Sequence, residues 1–199
     1  MNPPMYTGIV QTACELAGVE ERPGQRTLTV AMPDWLREGL AIGASVGLDG
    51  VCLTVTQIDN GSVSFDTIRE TNERTTLGRV AAGDRVNVER SAVAGAEIGG
   101  HEISGHVDGT AEIVAIDEPE GNRILTFLVP ADFMPYIFPK GFIALNGCSL
   151  TVVDVEREAN TFTVHLIPET LRVTTFDEKK VGDRVNFEIE RRTQVMVDT

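Results

Sequence analysis

The sequence predicts an all-β protein built from two tandem copies of one binding barrel, each closed or nearly closed. Three observations carry this reading. First, one phrase occurs twice: Leu48-Asp49-Gly50-Val51-Cys52-Leu53-Thr54-Val55 returns as Leu145-Asn146-Gly147-Cys148-Ser149-Leu150-Thr151-Val152. Second, further matches are collinear with it at offsets of 97 to 99 residues, among them Thr12-Ala13 with Thr110-Ala111 and Gly83-Asp84-Arg85-Val86-Asn87 with Gly182-Asp183-Arg184-Val185-Asn186. An internal repeat of this kind is the strongest organisational signal a chain can carry. Third, most segments alternate apolar and polar with period two and are rich in β-branched residues, the pattern of half-buried strands.

In order, strands are expected at Ser45–Leu48, Val51–Ile58, Ser62–Ile68 and Arg85–Glu89, and at their repeats in the second half. Turn chemistry separates them, as at Asp59-Asn60-Gly61 and Gly83-Asp84. Helix is expected only at Pro33–Gly39 and Pro130–Met134, each a turn or two opening at proline. Short strands at such spacing favour barrels, whose closure removes exposed sheet edges. The halves divide as residues 5–95 and 98–195, joined through the Ala/Gly-rich run Ser91–Glu97, with a short insertion in the second half within Glu156–Asn160.

The 199 residues, 42% hydrophobic, suffice for two small cores. No apolar run approaches the roughly 20 residues that span a bilayer, and Met1-Asn2-Pro3-Pro4-Met5 lacks the basic-then-apolar order of a signal peptide. Three cysteines, Cys14, Cys52 and Cys148, are too few for a disulfide framework, so a reducing cytoplasm is expected. The net charge of −13, with no cluster of Lys and Arg, argues against nucleic acid as a partner. Two Tyr and one Trp also make a poor stacking surface for single strands.

Residues two apart on a strand face one side. Cys52 and Thr54 therefore share one wall, and Ser149 and Thr151 another. Alone, Cys52 reads as a small core residue and Ser149 as a hydroxyl satisfied by backbone. Their equivalence in the repeat raises both, because hydroxyls on a buried wall need partners and a polar heterocycle supplies them. Asp66 and His165 are also equivalent, and a strand-end carboxylate or imidazole suits imide and hydroxyl groups; the bland reading of His165 is a satisfied strand histidine. Gly43-Ala44-Ser45-Val46-Gly47 fits the nucleophile-elbow pattern, but a strand is expected to follow it, not a helix. The three histidines have no metal-ligand spacing, and no P-loop or dinucleotide fingerprint is present.

Several stretches together resemble a known family. They are Tyr6-Thr7-Gly8-Ile9-Val10, Gly50–Val55, Gly99-Gly100-His101, Ser104–Gly109, Lys140-Gly141, Ser149–Val152 and His165-Leu166-Ile167-Pro168-Glu169-Thr170. In them the chain resembles the riboflavin synthase family, alpha-chain type, over almost its whole length. The resemblance implies two six-stranded antiparallel Greek-key barrels and a C-terminal helix that assembles a homotrimer. It implies a dismutation in which two molecules of 6,7-dimethyl-8-ribityllumazine exchange a four-carbon unit, yielding riboflavin and a ribitylamino-pyrimidinedione, with no metal or organic cofactor. The site would lie between the N-terminal barrel of one subunit and the C-terminal barrel of another.

Carried over by position, the resemblance assigns the first pocket Gly8, Ile9 and Val10, Cys52, Leu53 and Thr54, and Asp66, Thr67, Ile68, Arg69, Glu70 and Thr71, bordered by Gly105, His106 and Val107. The second pocket takes Lys140, Ser149, Leu150, Thr151 and His165 through Thr170. His106 and Ser149 would relay protons with His101 assisting, Thr151 beside them, and Cys52 or a water would add to the acceptor ring. Four features depart from the family pattern. Tyr6 stands where Phe is usual. Asp49 and Asn146 are exchanged relative to the usual Asn and Asp. Glu190 replaces an Asp. The chain reaches Thr199 where the trimer helix would begin, so the helix is expected to be missing and the trimer weakened. Non-catalytic relatives that bind a lumazine or flavin as optical or carrier proteins are the alternative reading.

Overall fold

The computed structural model describes residues 5–93, 95–119 and 121–199. Met1–Pro4, read above for a signal peptide, and Ala94 of the expected join lie outside them. In the first half, β1 (Thr12–Arg22), β2 (Gln25–Ala31), β3 (Ser45–Leu48), β4 (Val51–Asp59), β5 (Ser62–Ile68) and β6 (Arg85–Arg90) close in the order β1-β2-β5-β4-β3-β6. In the second, β7 (Gly109–Asp117), β8 (Arg123–Leu128), β9 (Phe142–Leu145), β10 (Cys148–Glu156), β11 (Thr161–Leu166) and β12 (Arg184–Ile189) close as β7-β8-β11-β10-β9-β12. These are two six-stranded antiparallel Greek-key barrels of identical topology.

Alternation explains each barrel. In β4, Val51, Leu53 and Val55 point inward and are buried, while Cys52 and Thr54 point outward. β10 repeats this with Cys148, Leu150 and Val152 inward and Ser149 and Thr151 outward. Phe65 fills the first core, and Phe127, Phe162, Phe176 and Phe187 the second. Each such side chain contributes about 1.5–3 kcal/mol by leaving water. Register shifts at Val55/Gln57 and Val152/Val155 mark bulges that bend the strands to close the barrels. β4 turns into β5 through Asn60-Gly61, whereas β10 turns into β11 through the longer Arg157–Asn160; this is the insertion that lengthens the repeat offset.

The helices exceed expectation. Besides α1 (Asp34–Arg37) and the 3-10 turn Ala131–Tyr136, α2 (Arg69–Arg74) follows β5 and α3 (Pro168–Val173) follows β11. Their signal was local: Pro168 in the first turn, and ion pairs Arg69–Glu73, Arg74–Glu70 and Arg172–Glu169 at helical spacing. The expected loss of the C-terminal helix is also corrected. Residues Arg191–Asp198 form α4, and Glu190 caps it by accepting the Thr193 N–H at 2.7 Å. Val195, Met196 and Val197 are left exposed on it.

The two barrels meet at the repeated turns. Asp49-Gly50 and Asn146-Gly147 all have positive φ, the conformation of a type I′ hairpin. The Asp49 Oδ1 accepts the Asn87 N–H at 2.8 Å, and the Asn146 Oδ1 accepts the Asn186 N–H at 2.7 Å. Across the seam, the Asn87 side chain donates to the Asn146 carbonyl and the Asn186 side chain to the Asp49 carbonyl. A Cβ on Gly50 would lie 2.7 Å from the Gly147 nitrogen, so the turns touch backbone to backbone.

Candidate active site

Two arms of chain, each leading into a barrel, build the site. Tyr6-Thr7-Gly8 and Ile103-Ser104-Gly105 occupy equivalent positions and cross at a pair of backbone hydrogen bonds, Tyr6 N–H to Ile103 O at 2.9 Å and the reverse at 3.0 Å. A buried glutamate fastens each. Glu89 accepts from the Thr7 N–H and hydroxyl and the Gly8 N–H, and Glu188 from the Ser104 N–H and hydroxyl and the Gly105 N–H. Burial pushes both carboxyls above their ordinary range, and the arm donors partly offset that.

The arms are exchanged between barrels. The Ser149 N–H donates to the Gly8 carbonyl at 2.8 Å, and the Cys52 N–H donates to the Gly105 carbonyl at 2.9 Å. Val10 packs in the second core and Val107 in the first. Within one chain, Gly8 and Val10 therefore lie with the Ser149 wall, not with the Cys52 wall to which the resemblance assigned them. The reason is steric as well as polar: a Cβ on Gly8 would sit 2.4 Å from the Ser149 Cβ, and one on Gly105 2.5 Å from the Cys52 Cβ. Ile9 and His106, which follow these glycines, point to solvent.

On the first wall, Cys52 and Thr54 face outward on β4 beside Asp66 at the end of β5, whose Oδ1 accepts from the Thr27 hydroxyl at 2.7 Å. Leu53 points into the core, so only its backbone lies on this wall. Thr67 is buried and donates to Asn72 at 2.7 Å, whereas Ile68, Arg69 and Glu70 are exposed and Thr71 half-buried at the start of α2. The Tyr6 hydroxyl donates to the Cys52 sulfur at 3.1 Å, and burial holds this phenol protonated, far above its ordinary range. Cys14 and Cys148 are buried thiols pushed up to about 11 and about 12.

The second wall differs. The Ser149 Oγ lies 2.6 Å from the His101 Nδ1. The imidazole is buried and stacks against Phe142, ring centroids 5.5 Å apart. Burial lowers the His101 pKa, and the charge of Glu190 pulls it partly back. The ring is therefore neutral at pH 7, a base with a hydroxyl attached and a carboxylate nearby. Thr151 is exposed beside Ser149, and Leu150 is turned into the core. His165, Ile167, Pro168 and Glu169 are exposed, Leu166 is buried and Thr170 half-buried, matching Thr67–Thr71 from the second position on, while Asp66 is half-buried where His165 is exposed. Lys140 is exposed with φ of 66°, where the first half has Gly43. Both walls are open in the single chain, with Ile68 61% and Ile167 57% exposed.

Of the four departures, Asn146 sits off the open wall and Glu190 lies close enough for its charge to act on His101. Asn146 is 1% exposed and fully engaged in the seam. Glu190 caps α4. Three residues escaped the sequence reading: Glu89, Glu188 and Phe142. The glutamates had a signal, since they are equivalent in the repeat as Thr7-Gly8 and Ser104-Gly105 are. Phe142 had none, because the first half has Ser45 there.

The lumazine binding domain family matches this chain twice, over residues 7–91 and 104–190. The chain is 50% identical over 196 residues to riboflavin synthase from Escherichia coli (strain K12), covering 98% of this chain and 91% of that protein. It is 44% identical over 195 residues to riboflavin synthase from Chlamydia pneumoniae, covering 98% and 94%. Among solved structures, LumP complexed with riboflavin superposes with a TM-score of 0.87 at 23% identity, covering 93% of this chain and 99% of LumP. LumP complexed with 6,7-dimethyl-8-(1'-D-ribityl) lumazine gives 0.84. The likeness to LumP is one of fold.

Proposed function

The chain belongs to the lumazine-binding-domain family and is an enzyme of the riboflavin synthase type, and we propose that it carries out the dismutation of two 6,7-dimethyl-8-ribityllumazine molecules. One molecule gives up a four-carbon unit and leaves as the ribitylamino-pyrimidinedione; the other accepts the unit and becomes riboflavin. The observation that carries this reading is the His101–Ser149 pair on the open second wall, 2.6 Å from nitrogen to oxygen. A lumazine on that wall loses a proton from its 7-methyl group to the neutral imidazole, directly or through the Ser149 hydroxyl. Glu190 then faces a cation and stabilises it. The second lumazine lies on the first wall, with Cys52 and Thr54 beneath it and Asp66 at its edge.

Two open walls in one chain need a cover. The reading places the N-terminal wall of one subunit against the C-terminal wall of another, in a homotrimer that α4 helps assemble through Val195, Met196 and Val197. Stacking two substrates in this way supplies approximation, which alone accounts for much of the acceleration. His106, exposed beside Gly105, serves the first wall from its rim.

Incubating the purified protein with 6,7-dimethyl-8-ribityllumazine tests the reading. Riboflavin and the pyrimidinedione are expected in equal amounts. Tight binding of the lumazine without turnover would sink it and leave a carrier protein instead.

A further inference from the structure

The second wall carries an exposed aromatic ring where the first wall has a serine. Phe142 opens β9 and pairs with Thr151 of β10, so both side chains point to the outer face. Its counterpart Ser45 pairs in the same way with Thr54. Phe142 is 49% exposed although it lies against the protein surface. Its ring lies nearly parallel to the His101 imidazole, at an interplanar angle of 17° with the centroids 5.5 Å apart. His101 in turn holds Ser149, which shares the outer face with Thr151 two residues on. Phe142, Thr151, Ser149 and His101 thus form one continuous strip: a flat apolar ring, two hydroxyls and an imidazole.

We propose that Phe142 is the stacking platform and a positioning residue of the second wall: part of its ring fixes the His101 plane, and the exposed remainder takes the fused heterocycle of the substrate face to face. This rests on the function proposed above. A flat π-system prefers an offset-stacked partner, and an aromatic side chain offers one without restricting the heterocycle's hydrogen-bonding edge. The edge then meets Thr151 and Ser149. With Ser45 at the corresponding place, the first wall has only polar contacts to offer there, so the two walls bind the same ring system with unequal strength. Substrate occupying the platform is held where His101 and Ser149 reach its methyl group.

Phe142→Leu and Phe142→Ser, the latter introducing the first wall's residue, test the platform in the full-length protein. Riboflavin is the probe, followed by its own fluorescence, and the His101 ring protons are titrated by NMR in the ligand-free protein. Both variants are expected to weaken riboflavin binding about tenfold, the size of one aromatic stacking contact. Both should also raise the His101 titration midpoint towards the ordinary imidazole value, because water reaches a ring that burial now shields. Phe142→Tyr should restore both properties. Unchanged riboflavin affinity together with an unchanged His101 titration in Phe142→Leu would overturn the proposal, as would failure of the unmodified protein to bind riboflavin. A protein that binds riboflavin but does not turn over the lumazine would remove the proposed reaction while both readouts still judge Phe142.

Discussion

The Tyr6 hydroxyl donates to the Cys52 sulfur across 3.1 Å, while Ile103, its equivalent in the second half, has no hydroxyl to give. Tyr6 lies in a slot made by two glycines: a Cβ on Gly105 would come within 2.9 Å of its ring and one on Gly47 within 3.3 Å. Tyr6→Phe keeps the ring in the slot and deletes one hydrogen bond. It is expected to cost about 0.5–1.5 kcal/mol in urea unfolding. Tyr6→Ala empties the slot and is expected to cost about 3–5 kcal/mol. Equal losses in the two variants would show that the thiol contact, not the ring, holds the arm.

Ser149→Ala removes the hydroxyl attached to His101 and should leave the barrels intact, since Ser149 faces outward. Turnover is expected to fall by about 10²–10⁴-fold, the usual worth of a positioned proton-transfer group. His101→Asn should fall as far. Because burial depresses the His101 pKa, the wild-type rate should decline only as pH drops below the ordinary imidazole value of about 6.5. A steady-state pH profile with its acid limb well above that value would exclude His101 as the base.

Gly8→Ala and Gly105→Ala should each unseat an arm. Their φ values are 75° and 79°, and the added methyl would overlap the Ser149 or Cys52 Cβ. Positive φ alone costs an alanine about 1–2 kcal/mol, and the overlap adds to that. Amide hydrogen exchange should show faster exchange confined to Tyr6, Ile103 and the N–H groups that Glu89 and Glu188 accept. Wild-type protection in the arms would count against their exchange between barrels.

Asp49 is a buried carboxyl whose pKa burial raises from 3.8 to about 6, with Asn87 and Lys179 offsetting part of the rise. Its folded pKa lies above its unfolded one. Its contribution to stability is therefore fully present below about pH 4 and lost as pH rises through about 6. Asp49→Asn copies the Asn146 turn of the second half and removes this penalty. Thermal melting should show a gain of about 1–3 kcal/mol over wild type at pH 8, shrinking towards zero at pH 4. A gain independent of pH would mean that charge is not the cause.

The barrels themselves were legible because their signals are local and doubled. Period-two alternation in Val51–Val55 already says which residues enter the core, and the copy at Cys148–Val152 says it again. The Asp-Gly and Asn-Gly pairs announce type I′ turns by composition alone. Helix at Arg69–Arg74 and Pro168–Val173 went unexpected, because six-residue segments are too short to carry a helical apolar period. The helix that Arg191–Asp198 forms through its cap and backbone was likewise unexpected.

Composition, repeat and turn chemistry are enough to specify two like barrels and to pair Cys52 with Thr54 and Ser149 with Thr151, because a strand's side-chain period is a property of the backbone. They do not say whether those outward pairs are covered; the folded barrels leave them on open walls. Nor do they say which barrel an arm serves. That depends on contacts between residues far apart in the chain: Gly8 against Ser149, Gly105 against Cys52, and two buried glutamates that fasten the crossing. The stacking of Phe142 on His101 is of the same kind. It joins a strand residue to a loop residue about forty positions away, and only closure of the second barrel brings the two rings together.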